Sequence, residues 1–399
     1  MITDLRSRED RASAVPREDL LPRGRFPLKD WPPSDGTLAV IEPPRLRDLR
    51  PPEFVCNLSN ANISSWVQPR THIHGSYLVA RSDVTLFGPN HLVSRSGLWS
   101  CETRNFKRQY MALVVEAGFC KMHPGVKPQI ELAGDLIFLD YDQLHPCHIH
   151  TVHEPVFLAT PLEPDNWGRW LATTVPKSVQ FKAYGQGRKF FCRAAHLWQR
   201  NLLRLLGIED LDLREHDPGK TYFCHDVATI EYSVTDMSVS DTEKQIYADL
   251  AQACQRITGD THGERIFVSR LSYSARHPHH RVLQNEPELI AALAGLGFKA
   301  VQPEQLSIAE QIGLFARARC VVALGGAALF SVRFSPPGTT VVTIESSDYF
   351  IRGHCMQLSS LGHRFGVIFG QQDLSDPTRV HKRWSIDVQR ACAAIQGIL

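Results

Sequence analysis

The 399-residue sequence has no run of 18 consecutive apolar residues, no CxxC pair among its ten cysteines and no excess of one charge. Each absence excludes a class. Without a long apolar run, nothing reads as a membrane-spanning helix. The 44 Lys and Arg are balanced by 42 Asp and Glu, a net charge of +2. That is too small a basic excess for a protein whose main partner is nucleic acid. The cysteines are scattered from Cys56 to Cys392 and are expected to be reduced thiols of a cytoplasmic protein. The opening MITDLRSREDRASAVPRED lacks the apolar core of a secretory signal, so the sequons at Asn57 and Asn62 are expected to stay unmodified. At ~100–200 residues per domain, the length suggests two or three domains.

What is present changes along the chain. Nine of the 25 prolines fall between Pro16 and Pro52. Residues 1–55 therefore read as a Pro/Arg-rich extension, extended or partly disordered. Short β-rich runs follow, such as Gly75-Ser-Tyr-Leu-Val-Ala, Val84-Thr-Leu-Phe, His91-Leu-Val-Ser and Met111-Ala-Leu-Val-Val. They predict a small antiparallel sheet within residues 56–155. The last third is the most legible. Apolar strands are predicted at Arg265-Ile-Phe-Val-Ser-Arg, Lys299-Ala-Val, Cys320-Val-Val-Ala-Leu, Thr340-Val-Val-Thr-Ile and Phe365-Gly-Val-Ile-Phe. Capped helices alternate with them: Ser240 or Asp241 opens one, and capping boxes are read at Asn285/Glu288 and Ser307/Glu310. This is an α/β pattern with a parallel sheet covered on both faces.

In such sheets ligands bind beyond the carboxyl ends of the strands. One strand closes on Ser269-Arg270. Another runs into Gly325-Gly326-Ala327, a sharp turn toward a helix start. Exposed main-chain N–H groups there, with the Arg270 guanidinium, would cradle a diphosphate. Glu345 closes the next strand and is a candidate for ribose hydroxyls. Arg281 reads either as a phosphate ligand or as the residue that orients Asn285. The His277-Pro-His279-His280 stretch reads first as a solvated loop and second as a loop near the donor, since it leaves the same strand end.

The blocks Phe267-Val-Ser-Arg270, Arg281-Val-Leu-Gln-Asn285-Glu286, Gln302 to Gln311 and Val321 to Thr339 resemble the family 61 glycosyltransferases in order and spacing. The resemblance extends upstream to Asp165-Asn-Trp-Gly-Arg-Trp170, similar to the family's Asn-aromatic-x-His-Trp motif, and downstream to Leu361-Gly-His363. It covers about residues 156–399. Bacterial members are often described as capsular polysaccharide biosynthesis proteins. The resemblance implies a GT-B-like fold, two Rossmann-like domains facing a cleft, preceded here by the β-rich region and the extension. Residues 156–258 would form the acceptor-side domain and residues 259–399 the donor-nucleotide domain. The implied reaction is inverting sugar transfer from a nucleoside diphosphate to a glycan or lipid-linked acceptor, with no metal or other cofactor. Such a protein would be cytoplasmic, attached to a membrane only through a polysaccharide assembly system, and a homo-oligomer is compatible with this.

Carried onto this chain, the donor site would comprise Ser269, Arg270, Arg281, Gly325, Gly326, Ala327, Ser331 and Glu345. Asp165 and Arg169 would be catalytic, with Asp165 the general base for the acceptor hydroxyl. Asn166, Trp167, His148 and His150 would face the acceptor, and Trp170 is expected in the core. Where the family carries His-Gly-Ala-Gly-Leu-x-Asn, this chain has Gly325 through Ser331, and the upstream family His is Arg169. The alternative is therefore a catalytically degenerate member that binds a glycan or a protein. His145-Pro-Cys147-His148-Ile-His150-Thr-Val-His153 has zinc-like residue types, but no second Cys/His pair stands at ligand spacing, so no metal site is assigned.

Overall fold

Wholly apolar strands alternating with amphipathic helices require a sheet buried on both faces, and the second half of the chain forms one. The computed structural model describes residues 24–27, 37–43, 45–56, 70–73, 75–94, 97–100, 129–133, 136–140, 149–231, 237–258, 263–347, 352–377 and 381–399. Two compact units are formed. The first comprises residues 1–44, 74–165 and 173–235, and the second residues 45–73, 166–172 and 236–399.

In the second unit five strands run parallel: β1 (Arg265–Val268), β2 (Lys299–Val301), β3 (Cys320–Leu324), β4 (Thr340–Ser346) and β5 (Arg364–Gln372). Their spatial order is β2-β1-β3-β4-β5. From β1 the chain adds β2 on one side, then crosses over to place β3 on the other. The reversal opens a crevice beyond the carboxyl ends of β1 and β3. Those ends are Ser269-Arg270 and Gly325-Gly326, the two segments the sequence singles out. Beneath them Phe267, Val322, Val342, Ile344 and Ile368 pack against Leu289, Leu293 and Ile395 of the flanking helices. Each such side chain contributes roughly 1.5–3 kcal/mol of burial.

Two helices begin as the sequence dictates. Ser240 Oγ accepts from Glu243 N at 3.2 Å while the Glu243 carboxylate accepts from Ser240 N at 2.8 Å. Ser307 and Glu310 repeat the exchange at the head of Ile308–Arg317. The third expected box does not form. Asn285 has φ −107° and ψ 31°, not the extended backbone an N-cap requires, and its side chain makes no cap bond. Instead, Asn285 Nδ2 donates to Ile386 O at 2.8 Å and Oδ1 accepts from Ile386 N at 3.2 Å. The helix expected after Gly326 is a 3₁₀ helix, Ala327–Phe334. Buried Arg333 locks it in place, donating to Gln357 Oε1 at 2.8 Å and to Tyr247 Oη at 2.9 Å.

The described parts of the Pro-rich extension are strands. Thr37–Glu42 pairs with Ser76–Phe87, Arg45–Asp48 with Arg70–Ile73, and Phe54–Cys56 adds in parallel to β5. Pro43, Pro51 and Pro52 lie between these strands, where a missing N–H costs no ladder bond. In the first unit Leu213–Glu215, Lys189–Cys192, Val156–Leu158 and Thr221–Glu231 stand parallel in that spatial order. Ser76–Phe87, His91–Ser94 and Gly97–Ser100 continue that sheet antiparallel. The run at Met111 lies outside the described residues. Among the described residues, no helix is long and apolar enough to cross a membrane.

The Asn285 clamp yields a prediction. Asn285→Ala removes two partly buried hydrogen bonds and should destabilise the second unit by roughly 1–3 kcal/mol. A lower urea midpoint by tryptophan fluorescence, with Trp384 two residues from the clamped Ile386, is the readout.

Candidate active site

β3 is an apolar strand that ends in two glycines because its turn has no space for side chains. Gly325 N donates to Ile344 O at 2.9 Å, which holds the turn against β4. A Cβ on Gly325 would lie 1.9 Å from Glu345 Oε2. Glu345 cannot easily move, since its Oε1 accepts from Thr343 Oγ1 at 2.7 Å and pairs with His354 Nδ1 at 2.9 Å, both groups buried. Gly326 has φ 157° and ψ −170°, a region that essentially only glycine occupies. A Cβ there would stand 3.5 Å from Arg270 Nη1 and 3.9 Å from Arg281 Nη2. Two guanidinium groups thus converge on the open side of one glycine.

Each arginine is positioned from behind. Glu286 is buried, and its Oε1 accepts from Arg270 N at 2.7 Å and from Ser269 Oγ at 2.8 Å. Burial holds the Glu286 carboxyl above its usual range, against the pull of these donors. The Arg270 guanidinium donates to Gly325 O at 3.3 Å and lies 4.9 Å from the Tyr273 ring centroid. Burial, then the charge of Arg281, lowers its proton affinity. Arg281 sits in the left-handed region at φ 54°. Its N donates to His381 O at 2.8 Å, and its carbonyl accepts from Trp384 Nε1 at 3.0 Å. Beside the arginines, His280 Nδ1 approaches Arg270 Nη2 at 3.5 Å, and the His280 and His381 rings lie 4.4 Å apart.

The expected donor residues therefore separate into layers. Arg270, Arg281, Gly325 and Gly326 come together at the strand ends, and Ala327, half-buried, opens the 3₁₀ helix. Ser269 and Glu345 lie beneath, with their polar atoms already engaged by Glu286 and by His354. Ser331 is fully buried and accepts from Trp167 Nε1 at 2.9 Å. Asn166 Oδ1 accepts from Arg169 N at 3.2 Å, closing the turn that carries Trp167. A Cβ on Gly168 would meet the Phe330 ring at 2.7 Å, so this turn packs directly on the 3₁₀ helix. Trp170 is in the core as expected.

Asp165 belongs to the first unit, exposed, with its carboxylate held by Arg193 Nε at 3.0 Å and His196 Nε2 at 3.2 Å. His150, also in the first unit, is exposed, its ring 5.7 Å from Tyr222. Its proton affinity is lowered by partial burial and then by Lys220. His153 stacks on His225 at 5.3 Å, while Cys147 and His148 lie outside the described residues.

Sequence reasoning missed several partners here. His280 turns inward from a stretch read as solvated, although His277 and His279 are indeed exposed. His381 arrives from a loop whose sequence carries no signal of it. Glu286 stands in a resembling block with no signal of its role, and His196, the N-cap of the helix Leu197–Leu205, carries none of its contact with Asp165.

A parallel sheet whose reversal point carries an arginine-lined glycine turn defines an α/β protein suited to holding an anion. The chain belongs to glycosyltransferase family 61: that family's model matches residues 142–342, half of its length. A search of curated proteins gives no match.

The turn itself can be tested. Gly325→Ala forces Glu345 off its partners, an overpacking expected to cost roughly 1–3 kcal/mol. The expected result is a lower thermal midpoint together with weakened pyrophosphate binding by calorimetry.

Proposed function

We propose that this protein is an inverting glycosyltransferase of GT-B architecture. It moves a sugar from a nucleoside-diphosphate donor to a glycan or lipid-linked acceptor in polysaccharide biosynthesis. The observation that carries this reading is the convergence of Arg270 and Arg281 on Gly326. In a single displacement the acceptor oxygen bonds to the anomeric carbon, the bond from that carbon to the diphosphate breaks, and the hydroxyl proton passes to a base. The departing diphosphate gains negative charge as the bond breaks. Preorganised cations and main-chain amides at that point stabilise the transition state without reorganising, usually the largest catalytic term. Arg270 and Arg281 would fill this role with residues of the chain alone.

Asp165 is our assignment for the base. Its exposed carboxylate is held by Arg193 and His196, so a proton arriving there meets an oriented acceptor. Trp167, its indole fixed by Ser331, would offer a rigid ring to a sugar face. One observation favours a second reading, a degenerate member that binds without turnover: position 325 has no room for a side chain above Glu345.

Two variants separate the readings. With UDP- and GDP-sugars as a donor panel, Arg270→Ala should lower kcat/KM by roughly 10²–10³-fold and weaken UDP or GDP binding in calorimetry. Asp165→Asn should lower turnover by roughly 10²–10⁴-fold while leaving nucleotide affinity unchanged. Nucleotide binding without any sugar release would select the degenerate reading. No binding of either nucleotide below millimolar would defeat the transferase reading, and glycan binding without turnover would then support the degenerate one.

A further inference from the structure

We propose that His280 and His381 form a second pair of diphosphate ligands that takes up a proton as the anion enters, so that binding at this pocket is coupled to protonation. The inference rests on the donor-site reading above and adds to it residues that neither spacing nor the family match assigns. His381 lies beyond the matched residues altogether.

The geometry comes first. His280 stands at the mouth of the arginine pair, its Nδ1 3.5 Å from Arg270 Nη2. A guanidinium has only donors, so Nδ1 must present its lone pair and the ring proton sits on Nε2. The His381 ring packs on His280 at 4.4 Å with a 31° tilt, and Tyr273 closes the other side at 5.8 Å. His381 reaches this place at a backbone cost. It has φ 69° and Arg281, its hydrogen-bonded partner, has φ 54°. Non-glycine residues in the left-handed region cost on the order of 1 kcal/mol or more each. A short ladder maintains both: Arg281 N to His381 O, Trp384 N to Val282 O at 3.0 Å and Gln284 N to Trp384 O at 2.8 Å. Two strained residues, bonded to each other, thus turn a guanidinium and an imidazole toward the same pocket.

The charge logic follows. The groups facing the imidazole pair are Arg270, Arg281 and Tyr273, whose ring His277 packs on from outside, with the buried Glu286 and Glu345 acting on Arg270 from below. Charges on the neighbouring loop are engaged among themselves, Arg383 with Asp373 and Asp376. Burial, Arg281, His381 and Arg270 together push His280 down to about 4, and burial and the arginines lower His381 as well. Both rings are neutral at pH 7. A diphosphate brings at least two negative charges and draws the guanidiniums onto its oxygens. Nδ1 of His280 then faces an anion instead of a cation, and its proton affinity rises. A solvent proton binds Nδ1 and the resulting imidazolium donates to a phosphate oxygen. The effect grows as the bond to the sugar breaks, because the leaving diphosphate carries more charge than the donor.

The sign is fixed by linkage. A group with lower proton affinity in the free protein than in the complex binds its ligand more tightly at low pH. Affinity should therefore fall as pH rises, by up to about tenfold per unit between the free and bound values for one proton taken up.

The test is calorimetric titration of the full chain with UDP, GDP and pyrophosphate, from pH 5.5 to 8, in buffers of different ionisation enthalpy. Wild type should take up close to one proton more than the His280→Gln/His381→Gln variant, whose pH slope should shrink to that of the ligand alone. Histidine ¹⁵N spectra of the unaltered protein provide the same readout without a variant. Two imidazoles neutral at pH 7 should move toward imidazolium on adding UDP or GDP. If a nucleotide binds and Arg270→Ala abolishes it, while proton counts match and no imidazole titrates, the coupling is wrong and the donor site stands. If none of the three ligands binds, the donor site and the coupling fall together.

Discussion

Two positive charges are held within 4 Å of one glycine's empty side, and the second unit is arranged around that constraint. Like charges held this close repel by roughly 2 kcal/mol or more at an effective dielectric of ~20. Nothing local would keep Arg270 and Arg281 there. What does is a set of buried attachments. Glu286 grips the Arg270 backbone, the 381–384 segment grips Arg281, and Glu345 with His354 fills the space under Gly325 so that the turn cannot sink. The sheet order supplies the rest. Only with β1 and β3 adjacent do the ends of two strands 55 residues apart meet over one crevice.

The elements of this arrangement differ in how visible they were beforehand. Local rules were enough for β3 and its glycines, for the capping boxes at Ser240 and Ser307, and for the apolar strands that make the parallel sheet. Each depends on residues within four positions of one another, where periodicity and hydrogen-bond reach act directly. Asn285 shows the limit. Its sequence context matches a capping box, yet a nearby segment with unsatisfied backbone groups competed for the same amide and won. His381 and Glu345 show a second limit. Their roles come from tertiary contacts across the sheet, which leave no trace in spacing.

Prolines misled in an instructive way. A cluster of them in the first 55 residues argues against helix, and that much is correct. It does not argue against strand, since a proline is tolerated between strands or at the end of one, as Pro27 is at the end of Gly24–Pro27. Pro43, Pro51 and Pro52 fall between strands, and Arg45–Asp48 and Phe54–Cys56 are left to pair with Arg70–Ile73 and β5. Composition alone cannot distinguish a chain broken by prolines from one merely punctuated by them.

The choice of histidine beside the arginines has a physical rationale of its own. A pocket for a leaving diphosphate benefits from more positive charge at the moment of bond breaking than an empty pocket can tolerate. Four permanent cations around Gly326 would repel one another in the unliganded protein, and the cost would fall on the 281–284 and 381–384 ladder, already strained at two residues. Imidazoles avoid that conflict. Under the proposed coupling, they would be neutral without an anion, would add charge only when one has arrived to compensate it, and would lose it again as the product departs. Lysine in the same positions would keep its proton throughout and bind the product as firmly as it stabilised its formation. A titrating pair, by contrast, ties the strength of the pocket to the charge of what it holds.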